Sequence, residues 1–463
     1  MKKCIARGSV MAALMLFLSG CGSLPGNSQQ ESAGQSASEP PSEAVDYSTY
    51  QSYWMKQHDY KTMPICAFIA PPVKVGEYAE NFVTEAQYRT LAESGINTAY
   101  GMTETLPLYA SDVSNALSYC DKFGISYVAS VSGIHTMKSA PQVENAIYNP
   151  LLLSSPAALG GVIVRDEPSY SEFAGCKRAK ELLEEFLPSD LLYHGNLFPD
   201  YATQEQLYNR GTGNPALPGE GYEYARYIDD YIEIFRPRVL SYDYYPMVGE
   251  DGYIREGYFG NMSVIRNRAA EAEIPFWVYI QTCSFNASVR VPDEGEIGWL
   301  VNTSLAYGAK GIQYFTYFLP NDDGEVFRGA MVDREGNKTP IYDYVQRVNG
   351  QIAAVDEILM CSFSEGVIVT GSTPCPVPEG DIATAYTERI EIEAGHVLTG
   401  CFDHRGNPVY YAVNNSIAEP DRAVFSLEGQ KGYYIVDGEK REFENRVEIL
   451  LEEGQGVLIV PEG

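Results

Sequence analysis

Five short apolar runs in this 463-residue chain end in residues able to do chemistry. One ends in Arg165-Asp166-Glu167-Pro168. Others end in His194-Gly195-Asn196, Tyr242-Asp243-Tyr244-Tyr245, Tyr279-Ile280-Gln281 and Thr316-Tyr317-Phe318. Carboxylates, amides and tyrosines make up the set. It holds no Ser-His-Asp arrangement and no cage of metal ligands, and it calls for no cofactor. Two carboxylic acids among neutral hydroxyls and amides suit acid–base cleavage of a glycosidic bond. One acid protonates the leaving oxygen, and a second group supplies or orients the nucleophile on the other face. Glu167 is the acid candidate, because desolvation at a buried strand end and the adjacent Asp166 charge both raise a carboxyl pKa. Asp243 is a candidate second carboxylate. The plainer use of the first pair is Asp166 as a helix cap and Glu167 as a surface carboxylate.

Around these acids, Tyr244, Tyr245, Tyr279, Tyr317 and Trp277 are candidates for stacking on sugar faces. Trp277 and Tyr279, inside a strand, suit core packing equally well. His194 and Asn196 are candidates for hydrogen bonds to hydroxyls, with a structural role open for His194. His135 follows the third run and is a weaker candidate. Asp322-Asp323-Gly324-Glu325 lacks the twelve-residue calcium-loop pattern and reads as a solvated acidic loop.

What must position these residues is a repeated unit: a short apolar run, a turn, then an amphipathic stretch. The runs are Pro64–Ile69, Ile96–Tyr100, Ile125–Val131, Gly161–Val164, Leu191–His194, Val239–Tyr242, Phe276–Ile280 and Gly311–Phe315. Thr84 and Gln87 form a capping-box pattern before one helix, and Gly95 and Gly124 stop two of them. Strands buried on both faces with helices between them imply parallel pairing. Eight such units predict an α/β protein with a (β/α)8 TIM barrel, whose strand carboxyl ends share one mouth. An open doubly wound sheet is disfavoured, since no Gly-rich phosphate loop follows the first run. After a final helix over 339–359, short alternating runs predict a small C-terminal antiparallel β-sandwich.

The N-terminus reads as an address. Lys2, Lys3 and Arg7 precede the apolar run Val10–Leu18, which is too short to span a bilayer. Leu18-Ser19-Gly20-Cys21 resembles the lipobox of bacterial lipoproteins, which implies cleavage before Cys21 and a lipid on its sulfur. Residues 22–46 carry hardly any large apolar side chain and read as a flexible tether. The expected organisation is a signal peptide over 1–20, a tether over 21–46, a barrel over 47–360 and a β-sandwich over 361–463. The expected location is extracytoplasmic, lipid-anchored to a bacterial cell membrane.

Composition excludes partners more than it names them. The 33 basic and 62 acidic side chains give a net charge of −29, which argues against nucleic acid and anionic membrane surfaces. The 35 Tyr against 3 Trp and 18 Phe suit an uncharged polyhydroxyl partner, a carbohydrate. Seven cysteines beyond Cys4 and Cys21 are scattered without CxxC spacing, so a zinc site is not expected. One disulfide, with Cys361 and Cys375 as the nearest pair, stays open, and so does the oligomeric state.

Asp166-Glu167-Pro168 after the fourth run resembles the Asn-Glu-Pro of clan A glycoside hydrolases, in which that Glu is the acid/base. The barrel with a trailing β-domain is similar too. The resemblance implies a glycoside hydrolase with Glu167 as general acid/base. Clan A places its nucleophile Glu at the end of the seventh strand, where this chain has Gln281. Three readings follow. Asp243 is the second carboxylate; or the substrate supplies its own nucleophile; or the barrel binds sugar without cleaving it. The second resembles the substrate-assisted β-N-acetylhexosaminidases, with Asp166 orienting an acetamido group, Glu167 as acid/base, and Tyr242 or Tyr279 holding the acetamide. A sugar importer's solute-binding lipoprotein shares the anchor and the aromatics, but it would need two open sheets.

Overall fold

The computed structural model describes residues 62–153, 156–209, 222–249, 253–286, 288–322 and 324–462. The signal segment, Cys21, the tether and Asp323 lie outside these residues. Eight parallel strands close in chain order: β1 (Ile65–Ala67), β2 (Thr98–Leu106), β3 (Ser126–Val131), β4 (Leu159–Asp166), β5 (Leu192–Leu197), β6 (Leu240–Tyr242), β7 (Phe276–Gln281) and β8 (Ile312–Phe315). Closure comes from β8 pairing with β1, Ile65 beside Ile312 and Ala67 beside Tyr314. β2, β4, β5 and β7 run on past their apolar runs, to Leu106, Asp166, Leu197 and Gln281, whereas β1 stops at Ala67.

The helices packed around the barrel are α1 (Glu85–Glu93), α2 (Ala110–Phe123), α3 (Ala140–Ile147), α4 (Tyr170–Glu184), α5 (Gln204–Asn209), α6 (Tyr224–Phe235), α7 (Tyr258–Glu271), α8 (Glu294–Ala306) and α9 (Pro340–Ala353). Their ends follow local chemistry. The Thr84 hydroxyl accepts the Gln87 N–H at 3.4 Å to open α1. Gly124 at φ +68° ends α2, a conformation that only glycine adopts freely. Ser169 N–H donates to Glu172 Oε2 at 3.0 Å and opens α4. The last helix is shorter than the expected 339–359. It stops at Ala353, and a separate turn, α10 (Asp356–Met360), places Asp356 Oδ2 on the Met63 N–H at 3.0 Å, below β1. Among the described residues no helix is long and apolar enough to cross a membrane.

Past α10 the chain forms β9 (Phe363–Thr370), β10 (Glu391–Ala394), β11 (Val397–His404), β12 (Asn407–Asn414), β13 (Asp421–Val436), β14 (Glu439–Leu451) and β15 (Gly456–Glu462). They make one antiparallel sheet in the order β9-β11-β12-β15-β13-β10, with β14 added on β13. Its two faces follow the period-2 alternation of side chains. Leu398, Phe402, Tyr411 and Leu458 join the barrel core, whereas Cys401, Tyr410, Ala412 and Ile459 build a second core within the curled sheet. α8 joins the two bodies, as do Arg266 of α7 with Asp381 and Gln351 of α9 with Asp437. Trp299 Nε1 donates to Asn415 Oδ1 at 2.8 Å, and the Tyr411 hydroxyl donates to Asn302 Oδ1 at 2.7 Å. The seven described cysteines are free thiols, Cys361 and Cys375 included.

Candidate active site at the barrel mouth

Asp166 and Asn196 stand beside each other in the β4–β5 register, after a slip between Ile163 and Arg165. An irregularity of this kind re-aims the side chains that follow it. Asp166 becomes the leading charged neighbour of Asp243, the residue just beyond β6. Glu167 stands one residue further along, in the left-handed region at φ +48°, with its N–H on the Asn196 carbonyl at 2.8 Å. A non-glycine residue there costs roughly 1–2 kcal/mol. The Glu167 charge is felt at Tyr227 of α6, whose hydroxyl donates to the Pro168 carbonyl at 2.7 Å.

Asp243 is 7% exposed. Burial, then the Asp166 charge, pushes its carboxyl up to about 7; the Tyr245 hydroxyl, the Asn196 amide and its own N–H pull the other way. Its Oδ1 has no hydrogen-bond partner among the described residues, and neither has the Tyr279 hydroxyl. Tyr245 and Tyr279 both feel the Asp166 and Asp243 charges, which places all four groups in one neighbourhood. Aromatic rings wall it. Phe68 meets Tyr279 edge-on at 5.5 Å, and Tyr245 lies 4.9 Å from Phe285 and 5.2 Å from Phe315. Arg255 lies 4.0 Å over the Tyr201 ring, and Tyr201 in turn feels the Asp243 charge. Asp166 and Glu167 are half-buried. Two cavities of about 300 and 350 Å³ lie elsewhere. One is beside Pro107 and Pro141, and the other is at the opposite barrel end beside Met63 and Asn349. Neither contains the carboxylate pair.

Several residues expected at the mouth sit in other places. Gln281 is fully buried and its amide is taken up by backbone: Oε1 accepts Met247 N–H at 3.2 Å, and Nε2 donates to the carbonyls of Met247 at 3.1 Å and Arg290 at 2.5 Å. It ties two mouth loops together. Tyr242 alternates with Ser241 and Asp243, and its neighbours Tyr258, Tyr224 and Tyr307 place it on the helix side. Tyr317 likewise sits beside Tyr342 and Glu93, behind the barrel. Tyr244 packs on Tyr201 at 5.0 Å and Tyr258 at 5.8 Å, next to Asp243 in sequence but turned toward α7. Trp277 fills the barrel at the level of Gly311, where a Cβ would meet its ring at 2.6 Å. His194 stacks between Tyr100 at 5.0 Å and Trp277 at 6.5 Å, and burial pushes its pKa down to about 3, so it is a neutral core residue. His135 lies 3.7 Å from Glu172, which also pairs with Arg165 at 3.0 Å. Asp322 is engaged by Arg334 and by Phe327 N–H, and no group of metal-ligating side chains is present among the described residues.

Sequence reasoning missed Tyr201, Arg255 and Phe285 in the mouth wall, and Tyr100, Ser241 and Gln313 beneath it. It also missed Glu104, fully buried behind β2, where burial pushes its carboxyl up to about 7. Glu104 accepts the Thr103 and Tyr127 hydroxyls at 2.8 Å each. A polar residue inside an apolar strand was the available signal for Ser241 and Gln313.

No family model and no curated protein matches the chain. Among solved structures, it is similar to AmyP in complex with maltose, at 8% identity and TM-score 0.49 over 89% of this chain and 98% of that one. It is also similar to a maltogenic α-amylase, AmyB from Thermotoga neapolitana, at 9% identity and TM-score 0.43 over 86% and 99%. A third is the β-galactosidase of the psychrophilic Marinomonas ef1, at 9% identity and TM-score 0.45; the match spans 64% of this chain and 62% of that one. The second and third bear glycosidase names. At such identities and scores, none of them decides the chemistry of this site.

Proposed function

We propose that the protein is a glycoside hydrolase acting on a glycan or oligosaccharide. The observation that carries this reading is the pairing of Asp166 with Asp243 at the strand carboxyl ends, with Asp243 Oδ1 buried and unpartnered. Buried polar atoms are almost always hydrogen-bonded, so an orphan oxygen beside an orphan Tyr279 hydroxyl marks a place where a ligand's hydroxyls fit. A carboxyl held near neutrality donates a proton well at physiological pH. Asp243 would protonate the leaving glycosidic oxygen, and Asp166 would serve as the second carboxylate. Glu167, the acid/base by resemblance, stands beside Asp166 and is the alternative donor. Lipid on Cys21 would hold the enzyme at the outer face of a bacterial cell membrane.

The test is hydrolysis of a panel of aryl glycosides by wild type, Asp243→Asn, Asp166→Asn and Glu167→Gln. The expected loss for Asp243→Asn is roughly 10²–10⁴-fold. If Glu167→Gln loses turnover and Asp243→Asn does not, Glu167 is the donor. If only N-acetylhexosaminides are cut, substrate assistance is the mechanism. A second reading, a carbohydrate-binding barrel without catalysis, is favoured by one observation: the strand-seven position holds an amide used as a structural tie. A wild type that binds glycans and cleaves none of the panel establishes it.

A further inference from the structure

Beneath Asp243 four polar side chains cross the barrel in one hydrogen-bonded line. The Tyr100 hydroxyl of β2 donates to Gln313 Oε1 of β8 at 2.7 Å. Gln313 Nε2 donates to Ser241 Oγ of β6 at 2.8 Å. Ser241 Oγ donates to Asn196 Oδ1 of β5 at 3.0 Å. The Asn196 amide stands beside the Asp243 carboxyl and pulls its pKa down, and the Asp243 N–H donates to the carbonyl of Leu197, the residue after Asn196, at 3.4 Å. All four side chains are buried; Tyr100, Ser241 and Gln313 are at 0% exposure. Polar groups this deep in a barrel core need a reason, because apolar residues would fill the space at less desolvation cost.

We propose that this line is a positioning device that fixes the Asn196 amide toward Asp243. The reason is its polarity. Each link donates toward Asp243, from Tyr100 through Gln313 and Ser241 to Asn196. Asn196 Oδ1 is held by Ser241, which leaves only the amide N–H to face the carboxyl group. Asp243 therefore meets an amide donor on the floor. The other groups facing Asp243 are Asp166 from β4, Tyr201 and Tyr245 from the loops after β5 and β6, Tyr224 from α6, and Tyr279 from β7, with Arg255 beyond Tyr201. Ser241 and Gln313 are thus positioning residues. The catalytic consequence rests on the reading of Asp243 as proton donor, whereas the positioning itself does not.

The test is the titration of Asp243 in the full chain carrying ¹³C-labelled aspartate, its carboxyl signal identified by its loss in Asp243→Asn. In Ser241→Ala the Asn196 amide loses its anchor and can turn its oxygen to accept from protonated Asp243. The Asp243 titration should rise by about one pH unit. Ser241→Thr keeps the hydroxyl and should restore the wild-type midpoint, which a mere packing role would not predict for the bulkier side chain. If Ser241→Ala fails to fold by circular dichroism, Tyr100→Phe removes the first donor at the far end and should raise the midpoint in the same direction. An unshifted midpoint in either folded variant overturns the proposal. Where a substrate is cleaved, the alkaline limb of the rate profile should move with the titration. A moved titration with an unmoved limb retains the positioning device and rejects Asp243 as donor.

Discussion

Gln281 grips Met247 with both ends of its amide, accepting the N–H at 3.2 Å and donating to the carbonyl at 3.1 Å. Nε2 donates to the Arg290 carbonyl as well. A carboxylate has no proton for these two carbonyls. Gln281→Glu therefore buries a charge against two acceptors and should lower stability by about 3 kcal/mol. It should not create or improve turnover. Urea midpoints and the glycoside panel check both halves; a stable, more active variant would mean that the strand-seven position faces substrate after all.

Asp243 also predicts a stability difference that depends on pH. Its folded pKa, about 7, lies above the unfolded value near 3.8. Between these pH values the native state holds the proton that the unfolded state has lost, so this group's contribution falls as pH rises. Asp243→Asn removes that term. The variant should be more stable than wild type at pH 8, by a few kcal/mol at most, and the gap should close on acidification to pH 4. Taking the difference between the two proteins cancels the opposing term of His194, whose folded pKa of about 3 costs stability as pH falls below 6.5. A gap that is constant across this range contradicts the burial of an ionising carboxyl.

Tyr279→Phe deletes a buried hydroxyl that has no partner among the described residues. The melting temperature should hold or rise slightly, because an unsatisfied group is removed. Glycan affinity should drop roughly tenfold if that hydroxyl meets the ligand, within the 0.5–1.5 kcal/mol of a neutral hydrogen bond. Isothermal titration with the best substrate or glycan found in the panel measures it. Unchanged affinity would remove Tyr279 from the binding surface.

Gly311→Ala tests the packing under the site. The added Cβ would sit 2.6 Å from the Trp277 ring, in a closed barrel interior. Overpacking of this kind costs about 1–3 kcal/mol. Trp277 fluorescence should shift along with the denaturation midpoint. A variant as stable as wild type would show that Trp277 has room to move, which would reopen its use as a sugar platform.

Much of the barrel was legible because each unit carries its own stop signals and a continuous apolar run. The site was less so, for two reasons visible in particular residues. Alternation along a strand sends neighbours to opposite faces, so Tyr242 and Asp243 cannot both look into the mouth. Depth matters as well: Trp277, Tyr279 and Gln281 share one face, yet only Tyr279 stands level with the carboxylates. Register slips hide the rest. The one before Arg165 aims Asp166 at Asp243, and the one between Gly101 and Leu106 in β2 carries Glu104 behind the barrel. Neither is written in the local residue pattern, because a slip is decided by the neighbouring strand.

The docking of α8 onto the β-domain has a consequence for how the molecule is made. α8 lies between β7 and β8, the last strands to close the ring, yet Trp299 and Asn302 find their partners at Asn415, Tyr411 and Gly454. Gly400 sits so close to the Ala306 backbone that a Cβ there would collide at 2.1 Å. A nascent chain that has emerged only through β8 thus has all eight barrel strands, while α8 still lacks its partners at Tyr411, Asn415 and Gly454. Native maturation is therefore an event of the completed polypeptide, and a chain shortened at the junction should be prey to proteolysis instead of a smaller stable barrel.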